Sequence, residues 1–162
     1  MEEKIVFKIK RDSIPEPKDF SRMNISCLDF FSSIRKFIDH NFAGAIRVDF
    51  PESCGGTVFI SPRGFAYFIS QLLSEIHGNS LIDVCVRASD QEIFIDIYGI
   101  ESIDRKNQLS DIALRSGFSV LRDENQIVLH TPLCFSQPLF LYAKDTLVLI
   151  NYFYEIFFAG NE

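Results

Sequence analysis

Ser61-Pro62-Arg63-Gly64-Phe65-Ala66-Tyr67-Phe68-Ile69-Ser70-Gln71-Leu72-Leu73-Ser74-Glu75-Ile76-His77-Gly78 carries the clearest periodic signal in the chain. Phe65, Phe68, Ile69, Leu72, Leu73 and Ile76 fall at the spacing of one helical face. Ser61-Pro62 makes a good start, because proline at the first helical position gives up no hydrogen bond. Gly78 makes a good stop.

Strand patterns flank this helix. Before it, Ala45–Phe50 alternates Ile46, Val48 and Phe50 with Arg47 and Asp49. Thr57–Ile60 returns across the turn 51–56 as a second strand. After it come Leu81–Arg87 and Glu92–Tyr98, joined by the polar turn 88–91, then a helix marked by Leu109, Ile112, Ala113 and Ser116 that ends at Gly117. Phe118–Leu121 and Gln126–His130 form a closing hairpin. Further out, Ile5–Ile9 reads as a short strand and Ser26 as the cap of a helix carrying Phe30, Phe31, Ile34, Phe37 and Ile38. Asp145 caps a last helix whose polar stripe is Lys144, Asn151 and Glu155. Short links between strands imply antiparallel neighbours, and the helices can all cover one face. The expected fold is α+β: a two-layer α/β sandwich with a mixed, mostly antiparallel sheet.

The chain has 162 residues, 47% of them hydrophobic, with 17 Phe, 5 Tyr and no Trp, which suffices for one domain with a real core. Sixteen basic against 22 acidic residues give a net charge of −6, and no basic stripe is present, so nucleic acid is not expected as a partner. Cys27, Cys54, Cys85 and Cys134 lie too far apart for a disulfide scaffold or a zinc site, which points to a reducing, cytoplasmic setting. No secretion signal is visible at the N-terminus. The apolar stretch Leu139–Phe158 is broken by Lys144, Asp145, Asn151 and Glu155, short of the ~20 apolar residues a membrane span requires.

The ordered set of elements from Cys27 to Leu133 resembles the Bergerat-fold (GHKL) ATPase domain of sensor histidine kinases. Gln71-Leu72-Leu73-Ser74-Glu75-Ile76 resembles the family's helix motif x-N-L-x-x-N-A, Leu81–Ile100 the strands that lead into its D-x-G-x-G-I turn, and Gly117–Leu133 its closing hairpin ending in x-L-P. The resemblance divides the single domain 1–162 into a core, 27–133, an N-terminal extension, 1–26, and an aromatic C-terminal extension, 134–162. It also implies a nucleotide site, which here departs from the pattern. Glu75 stands where the family has its metal-binding Asn. Gly99 stands where it has its adenine-binding Asp, unless a gap lets Asp96 take that role. Between Ile100 and Gly117, where a glycine-rich lid would wrap the triphosphate with backbone N–H groups, there is no glycine.

The resemblance therefore implies a degenerate domain, a non-catalytic protein-binding or regulatory module of bacterial signalling with no cofactor expected. The alternative is a nucleotide-binding ATPase or histidine-kinase-related enzyme with an atypical lid, holding Mg-ATP through Gln71, Glu75, Asp96 and Gly99. An unrelated α+β domain with a small-molecule pocket is a third reading. Other constellations read more plainly. His40 suits a solvated helix end, Ser53-Cys54-Gly55-Gly56 suits a turn, and Ser70 and Ser74 suit helix filler. Tyr152, Phe153, Tyr154, Phe157 and Phe158 belong either to the chain's own core or to an interface with a protein partner or a second copy.

Overall fold

A computed structural model describes residues 16–27, 35, 46–49, 55–74, 82–100, 106–123 and 125–134. Seven strands and two helices are found among them: β1 Met23–Ser26, β2 Ile46–Asp49, β3 Thr57–Ile60, α1 Pro62–Ser74, β4 Ile82–Ala88, β5 Glu92–Tyr98, α2 Lys106–Arg115, β6 Ser119–Arg122 and β7 Gln126–Pro132. The expected strand Ile5–Ile9, most of the helix after Ser26 and the helix after Asp145 lie outside the described residues.

Helix α1 begins as its sequence dictates. Ser61 is the cap: its Oγ accepts the Gly64 N–H at 3.0 Å, and its carbonyl accepts the Phe65 N–H at 3.0 Å. Phe65, Phe68, Ile69 and Leu72 are buried, as their spacing requires. On α2 the buried residues are Leu109, Ile112 and Ala113. Gly117 ends that segment at φ 108°, a conformation that costs an L residue energy. These two faces and Val84, Val86, Ile93, Ile95, Ile97, Ile127 and Leu129 form one hydrophobic cluster, so both helices cover the same side of the sheet. The fold is the α+β two-layer sandwich.

The sheet departs from the expected pairing in two places. Strands β2 and β3 are not hairpin partners. β2 lies parallel to β4 at the edge of a five-stranded sheet ordered β2-β4-β5-β7-β6, whereas β3 pairs antiparallel with β1 in a separate two-stranded sheet. Parallel neighbours need a crossover, and the chain between Asp49 and Ile82, with β3 and α1 in it, supplies one. The second departure is β1 itself, since Met23–Ser26 is a strand where only the approach to a helix cap was expected. The hairpins β4–β5 and β6–β7 form as expected.

Candidate functional site

The two helices leave a cleft of about 380 Å³ between them. Tyr67 and Gln71 of α1 form one wall, and Asn107, Gln108, Asp111 and Arg115 of α2 form the other. Ile112 and Glu16 also line it. Gln71, at 4% exposure, is a polar side chain held inside the helix layer. The charges are set against each other: Arg115 Nη1 donates to Glu16 Oε1 at 2.8 Å, while the guanidinium also stacks 4.0 Å from the Phe20 ring centre. Asn107 Oδ1 accepts from Arg122. What remains is a surface of amides, one tyrosine and the Asp111 carboxylate. It is suited to hydrogen bonding, and among the described residues no cysteine, serine or histidine lines it.

Asp96 lies elsewhere. Alternation along β5 sends Ile93, Ile95 and Ile97 to the helices and Phe94, Asp96 and Tyr98 to the opposite face. There Asp96 is 3% exposed and receives two hydrogen bonds from Arg87, Nε to Oδ2 at 2.5 Å and Nη2 to Oδ1 at 3.1 Å. This fork-to-carboxylate contact holds the guanidinium proton more tightly than usual: the hydrogen bond contributes most, partial burial opposes it, and the Asp96 charge adds to it. Arg87 also lies 4.9 Å from the centre of the Phe94 ring, whose other neighbour is the His130 ring at 5.8 Å. His130 Nδ1 is 3.4 Å from Glu92 Oε1. Asp96 thus belongs to a cross-strand polar and aromatic cluster on the sheet's outer face.

Gly99 follows β5 at φ 86°, a backbone conformation that suits its lack of a side chain. The structure therefore places Gln71 in the helix layer and Asp96 on the far side of the sheet, and does not bring the two together. Glu75 and the aromatic residues 152–154, 157 and 158 lie outside the described residues, as do His40, Ser53, Cys54 and His77. Ser70 and Ser74 donate to carbonyls of their own helix, those of Tyr67 and Gln71, both at 2.7 Å. The α2 wall of the cleft was missed in sequence, because Asn107, Gln108 and Asp111 form no motif and meet Gln71 only through helix packing. Among the described residues there is no cluster of His, Cys, Asp and Glu that could hold a metal ion, and no helix long and apolar enough to cross a membrane.

One cysteine departs from expectation. Cys27 is disulfide-bonded, while Cys85 and Cys134 are in no disulfide. The long sequence separations concealed this, because the fold returns residue 27 to the 55–56 turn, where its N–H donates to the Gly56 carbonyl at 3.0 Å.

No protein-family model matches the chain, and no curated protein matches it. Among solved structures it is similar to the histidine kinase AdeS of Acinetobacter baumannii, with a TM-score of 0.44 and 7% identity over 74% of this chain and 70% of that one. A likeness this distant says nothing of site or activity.

Proposed function

We propose that this chain is a non-catalytic, protein-binding regulatory module of bacterial signalling, a degenerate relative of the histidine-kinase ATPase domain. The observation that carries the reading is the position of Asp96. A carboxylate that accepts the adenine amino group must face the space between helices and sheet. This one faces away, and both its oxygens are engaged by Arg87. The cleft offers phosphates little in compensation. The cation that lines it among the described residues, Arg115, is paired with Glu16, and Asp111 adds a negative charge. On this reading no cofactor is assigned to the chain.

The cleft between α1 and α2 is instead the surface that meets a protein partner. Its amides offer directional hydrogen bonds, its rim carries charges of both signs, and Leu114 on α2 is 51% exposed. The signalling context rests on the sequence resemblance from Cys27 to Leu133.

Calorimetric titration tests the reading. The expected result is no heat of binding with Mg-ATP or Mg-ADP at millimolar concentration. Saturable binding that disappears in Asp96→Ala would replace the module with the nucleotide-binding alternative.

A further inference from the structure

The charges along the cleft between α1 and α2 do not balance. Asn107, Asp111 and Arg115 follow one another at four-residue spacing and form a single stripe of α2 on the cleft wall. An acidic and a basic residue four apart on a helix ordinarily pair with each other. Here they do not. The Arg115 guanidinium is held by Glu16 at 2.8 Å and lies 4.0 Å from the centre of the Phe20 ring, so a segment outside the helix neutralises it. The Asp111 carboxylate is left with no ion pair or hydrogen bond among the described residues. Nor does it serve the helix, since it lies past the first turn of Lys106–Arg115, where a carboxylate would complement the dipole.

On an open surface water would satisfy such a group. This one lines a cleft of about 380 Å³, toward the small end of the ~300–1,000 Å³ usual for ligand pockets and suited to one long side chain. We infer that the cleft takes the guanidinium of an arginine presented by the protein partner, with Asp111 as its carboxylate. The inference rests on the protein-binding reading above and names the chemistry which that surface recognises. A guanidinium is a planar fork that can give two parallel hydrogen bonds to one carboxylate. Gln108, on the same wall, carries an amide oxygen that can accept a further N–H, whereas Asn107 Oδ1 is committed to Arg122. Tyr67 and Ile112 supply apolar lining for the aliphatic stem. An anionic side chain would instead meet Asp111, with no unpaired cation in the described lining to offset it.

Titration of the full, ¹⁵N-labelled chain with N-acetyl-argininamide, followed by NMR, is the test. At the efficiency of an ordinary small ligand, a compound of this size binds with a Kd on the order of millimolar. Saturable shifts are expected at Tyr67, Gln71, Gln108 and Asp111. Asp111→Asn is expected to weaken binding about tenfold, the loss of one charge-assisted contact, while Asp90→Asn, the same change of net charge in the exposed β4–β5 turn, leaves it unaltered. The spectrum of each variant reports directly that it is folded. N-acetyl-citrullinamide, which is neutral and nearly the same shape, is expected to leave the cleft signals in place. Equal binding by the citrulline compound, or equal weakening by Asp90→Asn, would overturn the inference, and equal binding by N-acetyl-lysinamide would overturn the choice of a guanidinium. Free L-arginine binding tenfold more tightly than the capped form would give the cleft to the amino acid and not to a protein. If neither the arginine compound nor Mg-ATP moves the cleft signals, this inference falls and the protein-binding module stands; if Mg-ATP alone moves them, both fall.

Discussion

The Arg87–Asp96 pair joins two neighbouring strands on the sheet face away from the helices. Asp96 is almost fully buried, whereas the Arg87 side chain is 57% exposed, so the two ends of one ion pair stand in different media. Removing the arginine leaves a buried carboxylate without its guanidinium partner; removing the carboxylate's charge leaves an arginine that water already solvates. The two substitutions therefore differ in cost. Arg87→Met is expected to destabilise by about 1–2 kcal/mol, between the ~0–1 kcal/mol of an exposed pair and the ~3–5 kcal/mol of a broken buried one, because Arg87 is half in solvent. Asp96→Asn is expected to cost under about 1 kcal/mol, since its amide oxygen still accepts from the guanidinium. Urea denaturation of both variants checks the order, and an Asp96→Asn cost larger than that of Arg87→Met would mean that the pair is not what holds Asp96 in place. Alternation along β5 places Asp96 on the face opposite Ile93, Ile95 and Ile97. That a guanidinium two strand positions away would occupy it is a diagonal contact, which one-dimensional spacing does not encode.

Among the elements, α1 shows the strongest agreement between local sequence and structure, and its start gives a test in which two opposed effects can be weighed. Gly64 occupies the first turn, where alanine would ordinarily gain about 1 kcal/mol of helix propensity over glycine. Here a Cβ would sit 2.3 Å from Ser116 Oγ and 2.7 Å from a Phe20 ring carbon. Ser116 cannot simply swing away, because its Oγ donates to the Ile112 carbonyl at 2.7 Å and the residue is fully buried. Overpacking of this kind costs about 1–3 kcal/mol, so the clash outweighs the propensity and Gly64→Ala lowers the melting temperature. A rise in the thermal midpoint of this variant would show that α1 and the end of α2 are not in close contact there. The two hairpins and both helices were legible because their signals are local: period, cap, turn and stop. β1 was not, since four residues, Met23–Ser26, give too short an alternation to separate from a loop. The pairing of β2 with β4 was not legible either, because a short turn before β3 argues for a hairpin while the actual partner begins at Ile82 and is selected by packing.

At the scale of the whole molecule, the same distinction between local and long-range information decides the cysteines. Four cysteines scattered over the chain give no spacing signature, and spacing alone suggested that all are reduced. The fold instead places Cys27 beside the 55–56 turn, fully buried and disulfide-bonded, with Cys85 and Cys134 outside any disulfide. Thiol titration in denaturant is therefore expected to give two reactive groups per chain without reductant and four after reduction. Cys27 itself has no exposed surface, so attack at its own sulfur requires local opening of the structure. Loss of the bond in Cys27→Ser is expected to cost about 2–4 kcal/mol, the usual range for a disulfide that restricts the unfolded chain. Four free thiols in denatured, unreduced protein would remove the cross-link from the native state altogether. The count also bears on where the protein works, because disulfides persist in oxidising compartments and are rare where glutathione keeps thiols reduced. Material trapped with a thiol-blocking reagent directly from its own cells and found to carry two free groups would replace the cytoplasmic expectation with an oxidising one, and four would restore it.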